Sequence, residues 1–246
     1  MVNDTIATTA TFIHGGEHIE LLKPQEAIPK KKLILPLKVL YEDDHIAVIH
    51  KPAGILVSGS TFKTVSRALT QNIRSSSATD ATLPQPVHRL DYATTGALLV
   101  GKTSGAIRAL NQLFEAKSVE KTYYAIAIGS MNAHGEITTP VGEKDAKSMY
   151  SVIKTVPSKR FEKLNLVKLE PLTGRTHQLR KHLAGMGHPI LGDQEYGKDQ
   201  LILKGKGLYL HARSLGFTHP FTKENLTIKS PVPQKFKKIF SNHKCW

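Results

Sequence analysis

The chain has 246 residues, 40% of them apolar and 22% charged, enough for one sizeable catalytic domain with its own core and a short appendage. Its 34 Lys and Arg outnumber 20 Asp and Glu, giving a formal charge of +14 and a pI near 9.8; such a balance concentrates polyanions, nucleic acid foremost, although a generic basic surface serving solubility is the bland alternative. The only cysteine, Cys245, excludes a disulfide within the chain and a cysteine zinc site; no apolar run is long enough to span a bilayer, the N-terminus lacks a signal-peptide pattern, and the expected compartment is the cytoplasm.

In chain order, residues 1–38 stand apart. Ala10 to Leu21 holds two short apolar runs around Gly15-Gly16 and predicts a small hairpin. Pro24 to Pro36, with Lys30-Lys31-Lys32 inside it, reads as a basic, proline-bounded linker. The denser domain is expected over 39–246. Ile46-Ala47-Val48-Ile49 predicts a strand ended by the turn Lys51-Pro52-Ala53-Gly54. Thr64 is placed to cap a helix carrying Val65, Leu69 and Ile73 on one face. Residues 75–85 read as a mobile loop or a tolerated insertion. Ala97-Leu98-Leu99-Val100 is a second buried strand, and Ser104 can cap a helix bearing Ile107, Leu110 and Phe114. Strands follow at Tyr123 to Ile128 and Lys163 to Leu169. A helix is expected from Thr176 to Gly187, with Leu179, Leu183 and Met186 as its apolar stripe. The chain ends polar and basic. Strands outnumber helices without strict alternation, so the class is α+β with a mixed or antiparallel sheet.

Three segments could carry chemistry, and each has a plainer reading. Asp91 lies in the Thr/Gly-rich stretch His88-Arg89-Leu90-Asp91-Tyr92-Ala93-Thr94-Thr95-Gly96. It could face a cleft, or simply cap its turn. In Gly174 to His182, the positions His177, Arg180 and Ala184 share a face distinct from Leu179 and Leu183. Arg180 at the core's edge wants a carboxylate, but a solvated or phosphate-contacting face is as common. Tyr123, beside Lys121, could stack on a base or belong to the core. His177 and His182 are spaced i, i+5, off a common helical face, so the 12 histidines suggest no metal site. No phosphate-cradling or dinucleotide motif is present.

Together these segments form an ordered set. His88-Arg89-Leu90-Asp91 followed by Thr94-Thr95-Gly96 resembles the catalytic motif of the RluA family of pseudouridine synthases. Thr173 to Arg180, continuing through His182-Leu183 and Gly187 to Asp193 and then Tyr196-Gly197, is similar to its later motif, and Lys121-x-Tyr123-x-Ala125 to the tyrosine motif between them. Tyr41 to Asp44 with Lys51 to Gly54 resembles the family's opening strand, and Leu210-His211-Ala212 with Phe217 and His219-Pro220 its closing stretch. The likeness spans roughly 39–237. Thr95, Gly101 and His50 stand where the family more often has Ser, Ala and Asn. The first 21 residues look like the final hairpin of the small RNA-binding domain that often precedes this catalytic domain.

The resemblance implies a pseudouridine synthase fold: a mixed, mostly antiparallel curved sheet flanked by helices, with a short N-terminal hairpin extension. It implies isomerisation of uridine to pseudouridine without cofactor or metal, on structured RNA, ribosomal or transfer; a monomer is the default expectation. Asp91 would be the nucleophile, attacking the anomeric carbon or the uracil ring. Arg180 would pair with Asp91, and Tyr123 would pack on the base and assist proton removal from carbon 5. The base must flip out, and Arg89 would fill the space it vacates. His88, Thr95, Lys121, Arg175, His177 and Gln178 are further candidate substrate contacts. Lys154, Lys159, Arg160, Lys163 and Lys168 would touch phosphates. Two rivals remain: a catalytically silent RNA-binding protein on the same fold, and an RNA glycosidase or nuclease pairing Asp91 with a second acid, Asp193.

Overall fold

The computed structural model describes residues 1–8, 10–20, 33–203 and 205–240. Lys30 to Lys32 and Cys245, singled out in the sequence, lie outside them. Two compact units are present, Met1–Lys32 and Leu33–Trp246. The division falls before Leu33 rather than after residue 38 because the end of the expected linker is bonded into the second unit. The side-chain amides of Gln71 and Asn72 donate to Leu33 O and Leu35 O, each at 2.9 Å. Leu37 is buried beneath them.

In the first unit the expected hairpin is corrected. Gly15 and Gly16 do sit in a bend with positive φ. No described residue beside them forms a strand. Among the described residues the segment is tied by isolated bridges, Val2 to Ile19 and Val2 to Thr5, and by scattered hydrogen bonds such as Asn3 N to His18 O at 2.9 Å, without a ladder. With Ile6, Phe12 and Ile19 all exposed, the apolar runs have no facing layer to bury them, and a lone pair of strands is marginal in water.

The second unit is built on a ten-stranded sheet. Its strands are β1 (Lys38–Glu42), β2 (Ile46–Lys51), β3 (Ala81–Pro86), β4 (Thr95–Thr103), β5 (Glu120–Ile128), β6 (His134–Ile137), β7 (Ser148–Ser158), β8 (Glu162–Pro171), β9 (Leu210–Thr218) and β10 (Asn225–Lys229). The order is β1-β2-β4-β9-β5-β8-β7-β6, with β3 also on β4 and β10 also on β9. Every pairing is antiparallel except β4 with β9, which is parallel at Thr95 and Gly96. The fold is therefore α+β with a mixed, mostly antiparallel sheet, as expected.

The two apolar runs read from the sequence are central strands covered on both faces. Ile46, Val48, Ala97 and Leu99 pack with Ala106 and Leu110 of helix α2 (Ser104–Glu115). The alternate residues Ala47, Ile49, Leu98 and Val100 pack with Val65, Ala68 and Leu69, from the single turn α1 (Val65–Ala68) and the 3-10 turn after it. Burial on both faces is why these strands lack polar alternation. Helix α3 (Gln178–Gly185) and helix α4 (Gln234–Ile239) bury Leu183 and Phe236 in the third core cluster.

Several boundaries shift for identifiable reasons. Thr64 Oγ1 accepts from Arg67 N, as expected of the cap. The cap of α2 is Thr103 rather than Ser104, because Thr103 Oγ1 receives Ala106 N at 3.1 Å. Residues 75–85 are not a free loop: Ser77 N donates to Asp44 at 2.8 Å, Asp80 accepts from Gly105 N at 2.7 Å, and the segment runs into β3. Helix α3 starts at Gln178, two residues later than expected, because His177 adopts a left-handed conformation. It closes on Gly187, whose φ of +85° suits a helix terminus only glycine enters freely. No described helix is long and apolar enough to cross a membrane.

Candidate active site

The segment joining Leu90 to β4 is clamped by its backbone. Thr94 N donates to Asp91 O at 3.0 Å, and Gly54 N to Tyr92 O at 2.8 Å. The fully buried Lys51 donates from Nζ to the carbonyls of Pro52, Tyr92 and Thr94 at 3.0, 3.2 and 2.9 Å. Burial brings the Lys51 ammonium down to about 8, against the opposing pull of the Asp91 carboxylate. With the turn held this way, the Asp91 side chain is not needed to cap it. Among the described residues its carboxylate makes no hydrogen bond, and His177 Nε2 lies 3.8 Å from Oδ1. The plainer reading of Asp91 as a turn cap is thereby set aside.

Asp91 lines a cavity of about 490 Å³. Its wall includes His88, Arg89, Thr94 and Phe114, Lys121 and Tyr123 of β5, and Arg175 to Arg180. Gly96 brings the Asp91 segment against β9. Its φ is +126°, and a Cβ there would lie 2.2 Å from Ala212 O. A register shift between β5 and β9 skips Arg213, so Thr122 faces Ser214 and Tyr123 faces Ala212. Such a bulge re-aims side chains, and here Tyr123 reaches the cavity. Burial, reinforced by the Asp91 charge, raises the Tyr123 phenol well above its ordinary value, so it is neutral near pH 7.

Three comparisons bear on this arrangement. A family model described as RNA pseudouridylate synthase matches residues 45–185. An RNA pseudouridine synthase of Aquifex aeolicus, described as uncharacterised, is 35% identical over 93% of this chain and 80% of its own length. The ribosomal large subunit pseudouridine synthase C of Pasteurella multocida is 36% identical over 96% of this chain and 76% of its own. The chain belongs to the RNA pseudouridylate synthase family. The resemblance read from the motifs is borne out, and so is the reaction class, an isomerisation. Human RNA pseudouridylate synthase domain containing 1 shares the fold, with a TM-score of 0.66 at 23% identity over 85% of this chain and 87% of that one.

In this RNA pseudouridylate synthase family member the expected Arg180–Asp91 pair is corrected. Arg180 forks onto Asp193, Nε to Oδ2 at 2.7 Å and Nη2 to Oδ1 at 2.8 Å, and Nη2 also reaches Glu195 at 3.0 Å. Its plane lies over Tyr196, with Cζ 4.8 Å from the ring centroid. Asp193 is 2% exposed, and its oxygens also accept from Glu195 N and Tyr196 N. Burial alone would raise Asp193, but the Arg180 fork and these backbone donors hold it below the ordinary carboxylate value. A planar, five-donor cation suits such a buried carboxylate. Arg180 still lines the cavity, so its charge acts on Asp91 at longer range. Asp193 is consumed by this pair, which removes it as the second acid of a glycosidase or nuclease.

Other expected contacts divide. Thr95 does not line the cavity: it is 8% exposed, and its hydroxyl bonds His211 Nδ1 at 2.9 Å. Gln178 lines the wall but spends its amide on Thr173, Arg175 N, Lys147 O and Ser148, fixing the loop instead of a ligand. His88 accepts from Leu99 N at 3.0 Å and stacks on Phe114. Burial lowers it to about 4, so it is a neutral wall residue. Arg89 and Arg175 are exposed at the rim, and Lys121 is half-buried in the wall. Lys154, Lys159, Arg160, Lys163 and Lys168 lie on β7, β8 and their connection, away from the cavity lining; Lys168 pairs with Glu170 at 2.8 Å. Lys51, Glu195 and Tyr196 were not assigned roles from the sequence, and Asp193 was weighed only as a rival second acid, though all but Glu195 fall inside the family-like motifs.

Proposed function

We propose that this chain isomerises uridine to pseudouridine in ribosomal RNA, with Asp91 as the nucleophile. The observation that carries the reading is the unspent Asp91 carboxylate, anchored through its backbone and open to a cavity large enough for a nucleobase. Ribosomal RNA is favoured over transfer RNA because the Pasteurella relative is named a ribosomal large subunit pseudouridine synthase. The acting species is taken to be a monomer, and its compartment the cytoplasm.

A uridine stacked in a helix cannot reach Asp91, so it must be extruded into the cavity, with exposed Arg89 at the rim to occupy the gap. Attack on the anomeric carbon or on the uracil ring begins from the same carboxylate. Either bond removes the negative charge of Asp91. Tyr123, its phenol kept protonated by burial and by the Asp91 charge, lines the cavity where the flipped base would pack. Carbon 5 loses its proton only after the new carbon–carbon bond to the ribose has formed. Release of tritium from carbon 5 of uridine in ribosomal RNA tests the assignment: Asp91→Ala should abolish it, and undiminished release would refute it. Pseudouridine mapping with and without the gene product tests the substrate; changes confined to transfer RNA would overturn the ribosomal choice.

A further inference from the structure

Arg180 is committed to Asp193 and Glu195, which leaves the orientation of Asp91 to another group. Among the described residues the side chain with a nitrogen within 4.0 Å of its carboxylate is His177. The other face of that imidazole is also engaged. Nδ1 lies 3.0 Å from Tyr196 Oη and 3.4 Å from Glu195 Oε2, and the ring meets the edge of Tyr196 at a centroid distance of 5.7 Å. Arg180 in turn holds Glu195 and covers Tyr196. A continuous frame thus runs from Asp193 through Arg180, Glu195 and Tyr196 to His177 and Asp91.

The backbone supplies an independent observation. His177 has φ 57° and ψ 21°, the left-handed region, and its side chain makes no capping bond to the helix it precedes. Glycine or asparagine enters that region more cheaply than histidine. Sparsely populated backbone states retained against local preference cluster at functional sites. The conformation turns the imidazole away from the helix and toward the cavity.

We propose that His177 is a positioning residue for the nucleophile, its Nε2–H holding the Asp91 carboxylate in line while Tyr196 and Glu195 fix the ring from behind. The inference rests on the reading that Asp91 is the nucleophile. The required tautomer has Tyr196 donating to Nδ1, which leaves the ring hydrogen on Nε2. Burial and a hydrogen bond with the Glu195 carboxylate push Tyr196 up to about 12, so the hydroxyl stays protonated and turns its one hydrogen from Glu195 to Nδ1 to set this tautomer. The 3.8 Å separation is that of the free site, and such contacts tighten when substrate binds. Arg180 anchors this frame, and its charge reaches Asp91 only from beyond hydrogen-bond distance.

Two substitutions separate the faces of the ring. H177N keeps a polar atom where Nδ1 lies, suits the left-handed backbone and loses the reach to Asp91. H177Q places a donor near Nε2 instead. With saturating ribosomal RNA, single-turnover tritium release should slow about 100-fold in H177N, the scale of a small misplacement of a reacting group. RNA affinity and melting temperature should be unchanged. H177Q should recover to within about tenfold of the native rate. If H177N loses stability, H177G, which also suits positive φ, carries the same expectation. Native-like rates in H177N, equal rates in the Asn and Gln variants, or a loss of RNA affinity matching the loss of rate would overturn the proposal. D91A in the same assay keeps the two readings apart: activity there would sink the nucleophile assignment itself, whereas inactive D91A beside fast H177N would sink only the role of His177.

Discussion

Replacing Arg180 with Met should unfold the protein more readily as well as slow it. The guanidinium and the Asp193 carboxylate are 9% and 0% exposed, joined by two parallel bonds of 2.7 and 2.8 Å. Removing one member of a buried pair leaves an uncompensated charge, at a cost of about 3–5 kcal/mol. Asp193 keeps two backbone donors, from Glu195 N and Tyr196 N at 3.0 Å each, so the lower end, ~3 kcal/mol, is expected. For a unit of this size each kcal/mol moves the melting temperature by about 2–4 °C, giving a fall of ~6–12 °C. Calorimetry and urea titration of R180M measure it. The double variant R180M/D193L removes both charges and should regain most of the stability, because well-packed apolar substitutes for a buried pair are often neutral. It should not regain turnover, since Glu195 and Tyr196 lose their anchor. A melting temperature of R180M within about 2 °C of native would refute the argument, as would full activity of the double variant.

Three further outcomes follow from the geometry. Gly96→Ala must force a Cβ onto the β9 backbone, 2.2 Å from Ala212 O; backbone cannot step aside as a side chain can, so the loss should exceed the ~1–3 kcal/mol of ordinary overpacking, and a native-like melting temperature would contradict it. Alanine at Arg89, Lys121 and Arg175 together should lower the slope of log affinity against log salt by about 2–3, at ~0.7–0.9 per phosphate contact; an unchanged slope in filter binding would show that these cations do not touch the RNA. Acid should destabilise the fold in two stages. Burial takes His88 to about 4 and His211 to about 3, so the unfolded chain binds more protons than the folded one below the ordinary histidine value of about 6.5, and stability is lost as pH falls from there. Asp193 and Asp43 are held below the ordinary carboxylate value, despite burial, by their hydrogen-bond donors. Their contribution is intact above about 4 and disappears as pH falls through the lower folded values. A melting temperature that stays flat from pH 6.5 to 4 would exclude the histidine stage.

Local features of the chain were legible without coordinates because local physics decides them. Ile46 to Ile49 and Ala97 to Val100 are uninterrupted apolar runs, and only strands covered on both faces accommodate them. Thr64 caps its helix and Gly187 closes another through bonds a few residues long. The ordered motifs around Asp91, Tyr123 and Arg180 identified the family. What the sequence could not determine is which groups meet across long separations. The partner of Arg180 is 13 residues away in the chain, and choosing Asp193 over Asp91 requires knowing which carboxylate is buried. Thr95 and Gln178 carry polar groups suited to a ligand, yet the fold spends them on His211 and on the Thr173–Arg175 loop. Lys51 looks like part of a turn until its ammonium is seen beneath the Asp91 segment, 43 residues on. The left-handed backbone of His177 has no local signature at all. A histidine before a helix would ordinarily continue or cap it, and only the packing of Tyr196 and Glu195 behind the ring holds it turned toward Asp91. The candidate carboxylate was therefore readable from sequence, and the frame around it was decided by tertiary structure, where burial selects among otherwise equivalent charges.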